Sequence, residues 1–579
     1  MCEWFLLWGV AGIFMRRFGA IALLSGVVMW GFPATAQTVP PGDEPGRIEQ
    51  RFIPKPAPKA GVAIRQGLES TVPPDQAEKI SLRIKRFRFE GNTALDDETL
   101  QALASDLIGK TVSLRDVFKL AADVTAAYGN AGYTLSRAIV PPQELEPSGA
   151  TITIRLVEGY IDDVKWPAEL DRYRDLFSAY AEKIKAERPV HVTTLERYLL
   201  LANDLPGLTL SSRLTASETN PAASTLIVSL DKEKHLSASV SLDNRGTEGS
   251  GPYQAQVQTT IANIIGMHEE FSFGYTAAGP KYKKDSPELQ YISFGYGQVL
   301  NSEGLRFDFS GNASRGEPGT KDLLLLEYAT ESLNLSGQFS YPIIRTRNTN
   351  LTSIVAFDWK NSKSSIFDVP ETEDRLRIIR AEFAFDHADA LKGVNQLIVS
   401  ASHGIDGLGS TENGNPLASR ANGKVDFFKA NVQASRLQDF DGPLSALVMA
   451  SAQLSADPLL SAQECGYGGS AMGRGFEPSI LSGDHCFLAV GELRYDADLE
   501  HLGLSKFQPY AFADYGAVWN KNVPLGTAAH DDAASVGAGL RLGWKHLEAD
   551  LQVTYQVERP NSVTVDNRIG VFFDLTARF

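Results

Sequence analysis

From Leu236 to Phe579 the chain repeats one pattern, short runs in which apolar and polar residues alternate. Leu236, Ala238, Val240 and Leu242 alternate with Ser237, Ser239, Ser241 and Asp243. Similar runs recur at Tyr253–Ala262, Glu270–Ala278, Tyr291–Val299 and Leu305–Ala313, and onward to Phe507–Trp519, Ala533–Trp544, Leu547–Val557 and Arg568–Phe579. Successive side chains of a strand point to opposite faces, so each run predicts a strand with one apolar and one polar face. About sixteen such runs are present, each near the ten residues that a tilted membrane strand needs. Short connections such as Leu300–Gly304 alternate with long ones such as Gly404–Lys424. An even strand count with short turns at one end and long loops at the other is the pattern of an antiparallel outer-membrane barrel. Closing the sheet removes the strand edges that lipid cannot satisfy. A soluble β-sandwich is the competing reading.

The rest of the composition agrees. Fifty Gly, 29 Phe and 18 Tyr suit a β-rich chain with many turns. A net charge of −15 and a pI near 5.2 argue against a nucleic-acid partner. Beyond the N-terminus no apolar run is long enough for a membrane helix. Arg16-Arg17, an apolar stretch from Phe18 to Phe32 and Ala34-Thr35-Ala36 read as a cleaved secretion signal over residues 1–36, with Met15 as the expected true start. An uncleaved anchor is the alternative. An exported chain meets oxidising conditions. A disulfide between Cys465 and Cys486 is therefore expected, with two unpaired thiols as the alternative.

Residues 37–80 read as a short helix, Pro45 to Phe52, followed by a Pro-rich extended tether, with simple disorder as the competing reading. Residues 81–160 predict a small α/β module of order β-α-α-β-β. Its strands are Ile84–Phe89, Thr134–Val140 and Thr151–Val157, and Ser113-x-x-Asp116 caps its second helix. Residues 161–232 repeat that order, with Thr193-x-x-Glu196 as the expected capping box of a helix ending at Asn203. Two tandem copies of one module suggest an interaction platform. The barrel is expected over 233–579, interrupted by a long loop at 456–485.

That loop carries Gly473-Arg474-Gly475-Phe476, and one strand later comes Phe512-x-Asp514-x-Gly516. Phe512, Asp514 and Gly516 share a strand face opposite the apolar Ala513, Tyr515, Ala517 and Trp519. If the apolar face meets lipid, Asp514 points into the lumen and needs a cation. An inward loop bearing Arg474 would supply one. The competing reading is a surface loop with an unrelated aspartate. No H-E-x-x-H, zinc spacing, G-x-S-x-G elbow or phosphate-binding loop is present. No catalytic residue, metal ligand or cofactor is therefore assigned.

Together these motifs resemble the outer-membrane transporters of two-partner secretion, the ShlB/FhaC/HecB family of POTRA-bearing barrels. The resemblance runs through the segment Asp43–Arg51, which looks like the family's plug helix, with Arg47, Ile48, Gln50 and Arg51 as its marked residues. It continues through Gly132–Gln143 and Glu158-Gly159-Tyr160 of a first POTRA domain and Leu199–Gly207 of a second. Asp243-Asn244-Arg245-Gly246 looks like the first barrel hairpin. The R-G-F tip Arg474-Gly475-Phe476 and the strand Phe512-x-Asp514-x-Gly516 complete it. Gly473 stands where many members have Val. A terminal aromatic such as Phe579 is typical of these barrels and would serve as an assembly signal to the barrel-assembly machinery. The resemblance implies that the POTRA domains capture a large unfolded exoprotein of haemolysin or adhesin type in the periplasm, and that the barrel, embedded in outer-membrane lipid, exports it. A barrel-assembly insertase, a passive porin and a structural adhesin are the alternatives.

Overall fold

A computed structural model of the protein describes residues 41–52, 58, 77–144, 146, 149–279, 286–523, 529–560, 563 and 567–579. The expected leader and most of the tether lie outside the described residues. Residues 41–52 form two short 3-10 turns, Pro41–Asp43 and Ile48–Arg51, where the sequence predicts one helix from Pro45. Pro45-Gly46 between them removes an amide donor and adds backbone freedom, which breaks a continuous α-helix.

The first module contains β1 (Ser81–Glu90), α1 (Asp97–Ala104), β2 (Thr111–Ser113), α2 (Leu114–Asn130), β3 (Arg137–Ile139) and β4 (Ala150–Val157). Its sheet runs β2-β1-β4-β3, with β1 and β4 parallel. Leu82, Ile84, Phe87 and Phe89 of β1, kept on one face by a register shift between Ile84 and Arg86, pack against Val117, Leu120, Val124 and Tyr128 of α2. Ser113 and Asp116 close the capping box that starts α2. Strand β2 is too short to carry a periodic signal, and β3 is shorter than its predicted run.

The second module contains β5 (Tyr160–Lys165), α3 (Arg174–Ala186), α4 (Val192–Asn203), β6 (Leu208–Ala216) and β7 (Ala223–Glu233), with sheet order β5-β7-β6. Helix α4 starts one residue before the predicted cap. His191 caps it: the ring Nδ1 accepts the Thr193 N–H at 3.2 Å while Nε2 faces the Ala131 carbonyl of the first module at 3.1 Å. The Val192 N–H also crosses to the Gly132 carbonyl of the first module at 2.9 Å. Within the first module Glu158 accepts hydrogen bonds from the backbone of Thr93 and Ala94 and from the Tyr128 hydroxyl.

The barrel begins with β8 (Leu236–Asp243), β9 (Gln254–Ala262), β10 (Glu269–Ala278), β11 (Leu289–Val299), β12 (Arg306–Gly316) and β13 (Ala329–Arg345). It continues with β14 (Thr349–Ile366), β15 (Val369–Ala388), β16 (Gly393–Gly404), β17 (Phe428–Asp439) and β18 (Leu444–Ser455). A two-stranded hairpin, β19 (Cys465–Tyr467) and β20 (Leu481–Gly483), lies within the long loop. The barrel closes with β21 (His485–Tyr495), β22 (Lys506–Trp519), β23 (His530–Trp544), β24 (Leu547–Glu558) and β25 (Ile569–Arg578). Sixteen antiparallel strands pair with their neighbours, and β25 returns to β8. Val240, Val257, Phe273, Ile292, Phe339, Val355, Phe383, Val448, Leu551 and Val571 are exposed on the outer face. They form the apolar band expected to face lipid.

The second module is fastened to one rim of the barrel. Arg345 grips Asp204 with two bonds of 2.8 Å, and Arg197 donates to the Pro342 carbonyl at 2.9 Å and to the Glu303 carbonyl at 3.1 Å. Paired charges around the Glu303 turn include Lys183 at 2.7 Å. Burial alone would raise the Glu303 carboxyl, but its bond to Lys183 and the charges of Lys183 and Arg197 hold it below its ordinary value.

Candidate functional site

The alternation that makes the outer face apolar turns Glu492 and Arg494 of β21, Phe512 and Asp514 of β22, Ser535 and Arg541 of β23, and Asp550 and Gln552 of β24 toward the lumen. The long loop folds inward against this wall. Cys465 and Cys486 are joined by a disulfide that ties the loop hairpin to the first turn of β21, with Cα atoms 6.4 Å apart. Gly473 has φ +79°, a left-handed conformation that turns the loop tip at little steric cost. Gly516 lets the Tyr467 ring lie directly on β22, where any added Cβ would strike it. Tyr467 and Phe476, both buried, pack 5.9 Å apart between their ring centroids.

Arg474 reaches the wall, but its strongest guanidinium contact is to Glu492. Its Nη1 donates to the Glu492 carboxylate, whereas Nε lies 3.9 Å from Asp514. Asp514 instead accepts the backbone N–H of Arg474 at 2.8 Å. The guanidinium sits 4.2 Å from the centroid of the Phe512 ring, a cation–π arrangement. Glu492 also receives Arg541 at 2.8 and 3.1 Å and Arg494 at 2.6 Å. Gly475 donates to Ser535 at 3.2 Å and accepts from Gln556 at 2.7 Å. The Arg474 carbonyl accepts from Arg245 at 2.7 Å. The tip is therefore held by backbone and side chain together. Arg474, Phe476, Asp514 and Phe512 are brought to one place. Glu492, Arg541 and Arg245 complete the site, and the sequence reading did not name them for it. Glu492 pairs in register with Phe512, two residues from Asp514, which is the signal that would have found it.

Residues 41–52 lie in the same lumen. Ile48 is buried against Ala278, Leu289 and Tyr291, and Phe52 packs 4.6 Å from the Tyr291 ring. Arg47 donates to the Ser461 carbonyl at 3.1 Å and pairs with Glu464 of the inward loop. Glu49 takes Lys360 of β14 at 2.7 Å. Asp43 accepts from Thr247 and Ser250 at 2.6 Å each, and Arg51 donates to Ser250 at 3.4 Å. The Gln50 N–H bonds the Arg47 carbonyl at 3.0 Å. Glu464 is shared. It also receives Arg420 of the loop after β16 at 3.0 Å, and Arg420 reaches Asp484 at 2.7 Å. Asp484 is fully buried and further accepts the N–H groups of Leu459 at 2.6 Å and Lys521 at 2.7 Å. One chain of charges thus joins residues 41–52 to two loops. Phe579 bonds Ala238 in both directions, at 2.8 and 3.2 Å, across the barrel closure.

A sixteen-stranded barrel with an apolar outer band, an inward loop fixed to the wall and α/β modules at one rim defines a POTRA-bearing outer-membrane barrel. Residues 222–542 match the family model for haemolysin secretion/activation protein ShlB/FhaC/HecB, and residues 82–159 match the POTRA domain, ShlB-type; the chain belongs to this family of two-partner secretion transporters. The heme/hemopexin transporter protein HuxB of Haemophilus influenzae (strain 86-028NP) is 24% identical over 321 residues, 54% of each chain. The match thus spans about half the length of that curated relative. The outer membrane transporter CdiB of Dickeya dadantii (strain 3937) is 22% identical over 507 residues, 85% of this chain and 86% of its own. The solved structure of CdiB from Escherichia coli shares the fold with a TM-score of 0.72 at 16% identity, covering 88% of this chain and 93% of that one. Secretion barrels of this family sit in the outer membrane, with their POTRA domains in the periplasm. The short turns of this barrel therefore face the periplasm and the long loops face outward.

Proposed function

We propose that this chain exports a large partner protein, unfolded in transit and of the β-helical haemolysin or adhesin type, through its barrel lumen to the cell surface. The observation that carries this reading is the occupied lumen. Residues 41–52 and the loop 456–485 fill it and are tied to each other and to the wall by ion pairs, as a resting export pore needs and an open porin does not. In this reading Arg47, Ile48, Gln50 and Arg51 belong to a plug that leaves the lumen before transport. Arg474, Gly475 and Phe476, with Phe512, Asp514 and Gly516, keep the loop in its working position. The modules at 81–160 and 161–232 act as two POTRA domains that receive the exported chain by strand addition. Strands β2 and β3 in the first sheet and β5 and β6 in the second are edge strands of the kind such addition uses. Phe579 is read by the barrel-assembly machinery during biogenesis. The reading involves no catalysis and no cofactor. The first test is whether the neighbouring gene encodes a very large repeat-rich secreted protein, and the second is co-expression with that protein. Secretion should require this chain and should fail when residues 81–231 are deleted from a barrel that still assembles. Equal secretion without those residues would remove the POTRA step from the reading.

A further inference from the structure

The barrel closes over a short ladder. Strands β25 and β8 pair through five residues, Asp574 with Asp243 to Arg578 with Ser239, with Phe579 and Ala238 bonded just below them, whereas β24 and β25 pair through nine. Above Asp243 the Asn244 N–H makes one last backbone bond, to the Phe573 carbonyl at 3.4 Å, and the chain then leaves the ladder. The Gly246 N–H turns to the Pro252 carbonyl at 2.9 Å, and Arg245 turns toward the loop tip. Backbone groups of β25 would be left open at a wall that meets lipid, where an unsatisfied peptide group is costly.

The Asn244 side chain takes their place. Its Nδ2 donates to the Val571 carbonyl at 2.9 Å, and its Oδ1 accepts the Phe573 N–H at 2.8 Å. A carboxamide carries one donor face and one acceptor face, as a peptide group does, so the Asn244 side chain prolongs the ladder past its last backbone bond. The next residue faces the lock. Arg245 donates to the Arg474 carbonyl at 2.7 Å, reaches Gln552, and lies 3.8 Å from the Phe572 ring centroid on β25. Asp243 fixes the start of this turn by accepting the Arg245 N–H at 2.8 Å.

We infer that Asn244 staples the closing seam of the barrel, and that Arg245 couples this seam to the inward loop. Withdrawing the Arg474 tip then loosens β25 from β8. Asn244 and Arg245 are positioning residues. They set where the wall can part and tie that event to the loop, whatever cargo is carried.

The test is hydrogen–deuterium exchange on the full-length protein in lipid nanodiscs, read on peptides covering 567–579, with folding checked by the mobility of the unheated barrel on gels. Asn244→Ala should speed exchange in these peptides about tenfold or more, the factor expected from two lost hydrogen bonds. Other strands should be unchanged. Asn244→Asp keeps the bond from Phe573 and loses the donation to Val571. It should give a smaller rise, and it keeps the question answerable if the alanine variant does not assemble. Arg474→Ala should raise exchange in the same peptides, and should add nothing in an Arg245→Ala background. No change on Asn244→Ala, or a rise spread over all strands, would overturn the staple. A loop freed by Arg474→Ala while 567–579 stay protected would overturn the coupling.

Discussion

Truncating Arg474 and truncating Glu492 should differ in cost, and the geometry says in which order. Glu492 is almost fully buried and receives three guanidinium groups, Arg474, Arg494 and Arg541. Removing one partner of a buried pair costs about 3–5 kcal/mol, because the other charge is stranded. Arg474→Ala does not strand Glu492, which keeps Arg541 and Arg494 within 3.1 Å. Its cost should therefore fall to about 2–3 kcal/mol, part of it the lost cation–π contact with Phe512. Glu492→Ala leaves three cations facing one another and should reach the upper end, about 4–5 kcal/mol. Asp514→Ala removes the acceptor of the Arg474 N–H and should cost about 1.5–3 kcal/mol. That bond survives Arg474→Ala, so the two losses should be close to additive. Double-mutant cycles in urea unfolding of the membrane-reconstituted barrel should show stronger coupling for Arg474–Glu492 than for Arg474–Asp514. The expected difference is about 1–2 kcal/mol, the worth of a charged hydrogen bond. Equal couplings, or a larger one for Asp514, would refute this division of labour.

Glu464→Gln weakens the shared acceptor of Arg47 and Arg420 and should raise the open probability in planar bilayers; an unchanged opening rate would dismiss Glu464 as a restraint on residues 41–52. The Cys465–Cys486 disulfide closes a loop of 21 residues and should stabilise by about 3 kcal/mol through the unfolded chain, seen as a lower unfolding midpoint after reduction. Glu158 is held below its ordinary carboxylate value: burial would raise it, but hydrogen bonds from Thr93, Ala94 and Tyr128 outweigh that. A depressed folded value means that this stabilisation is complete above about pH 4.3 and is lost as the pH falls further. Amide exchange around Thr93–Ala94 should therefore rise in that acid window in the native chain and be insensitive to it in Glu158→Gln.

The period-two alternation made the barrel legible, because every membrane strand must present one apolar face whatever its neighbours do. The lock was half legible. Asp514 could be placed in the lumen from its own strand, but a lumen-facing Glu492 looks like any other polar residue until the register of β21 against β22 sets it beside Phe512. Pro45–Phe52 has the prolines of a bounded helix, yet these residues take their shape from the lumen around them and form only 3-10 turns. Thr193-x-x-Glu196 matched a capping pattern, yet His191 reaches the helix end first. Asn244 was visible only as part of a motif, because its bonds to Val571 and Phe573 span more than three hundred residues of sequence.

On the proposed function, residues 41–52 close the lumen at rest. Single-channel conductance of the full-length protein should be compared in planar bilayers with that of a chain lacking 41–52, each shown to be folded by its mobility without heating. The deletion should open the pore, giving a large and stable increase in conductance. Equal conductance in the two proteins would contradict the account.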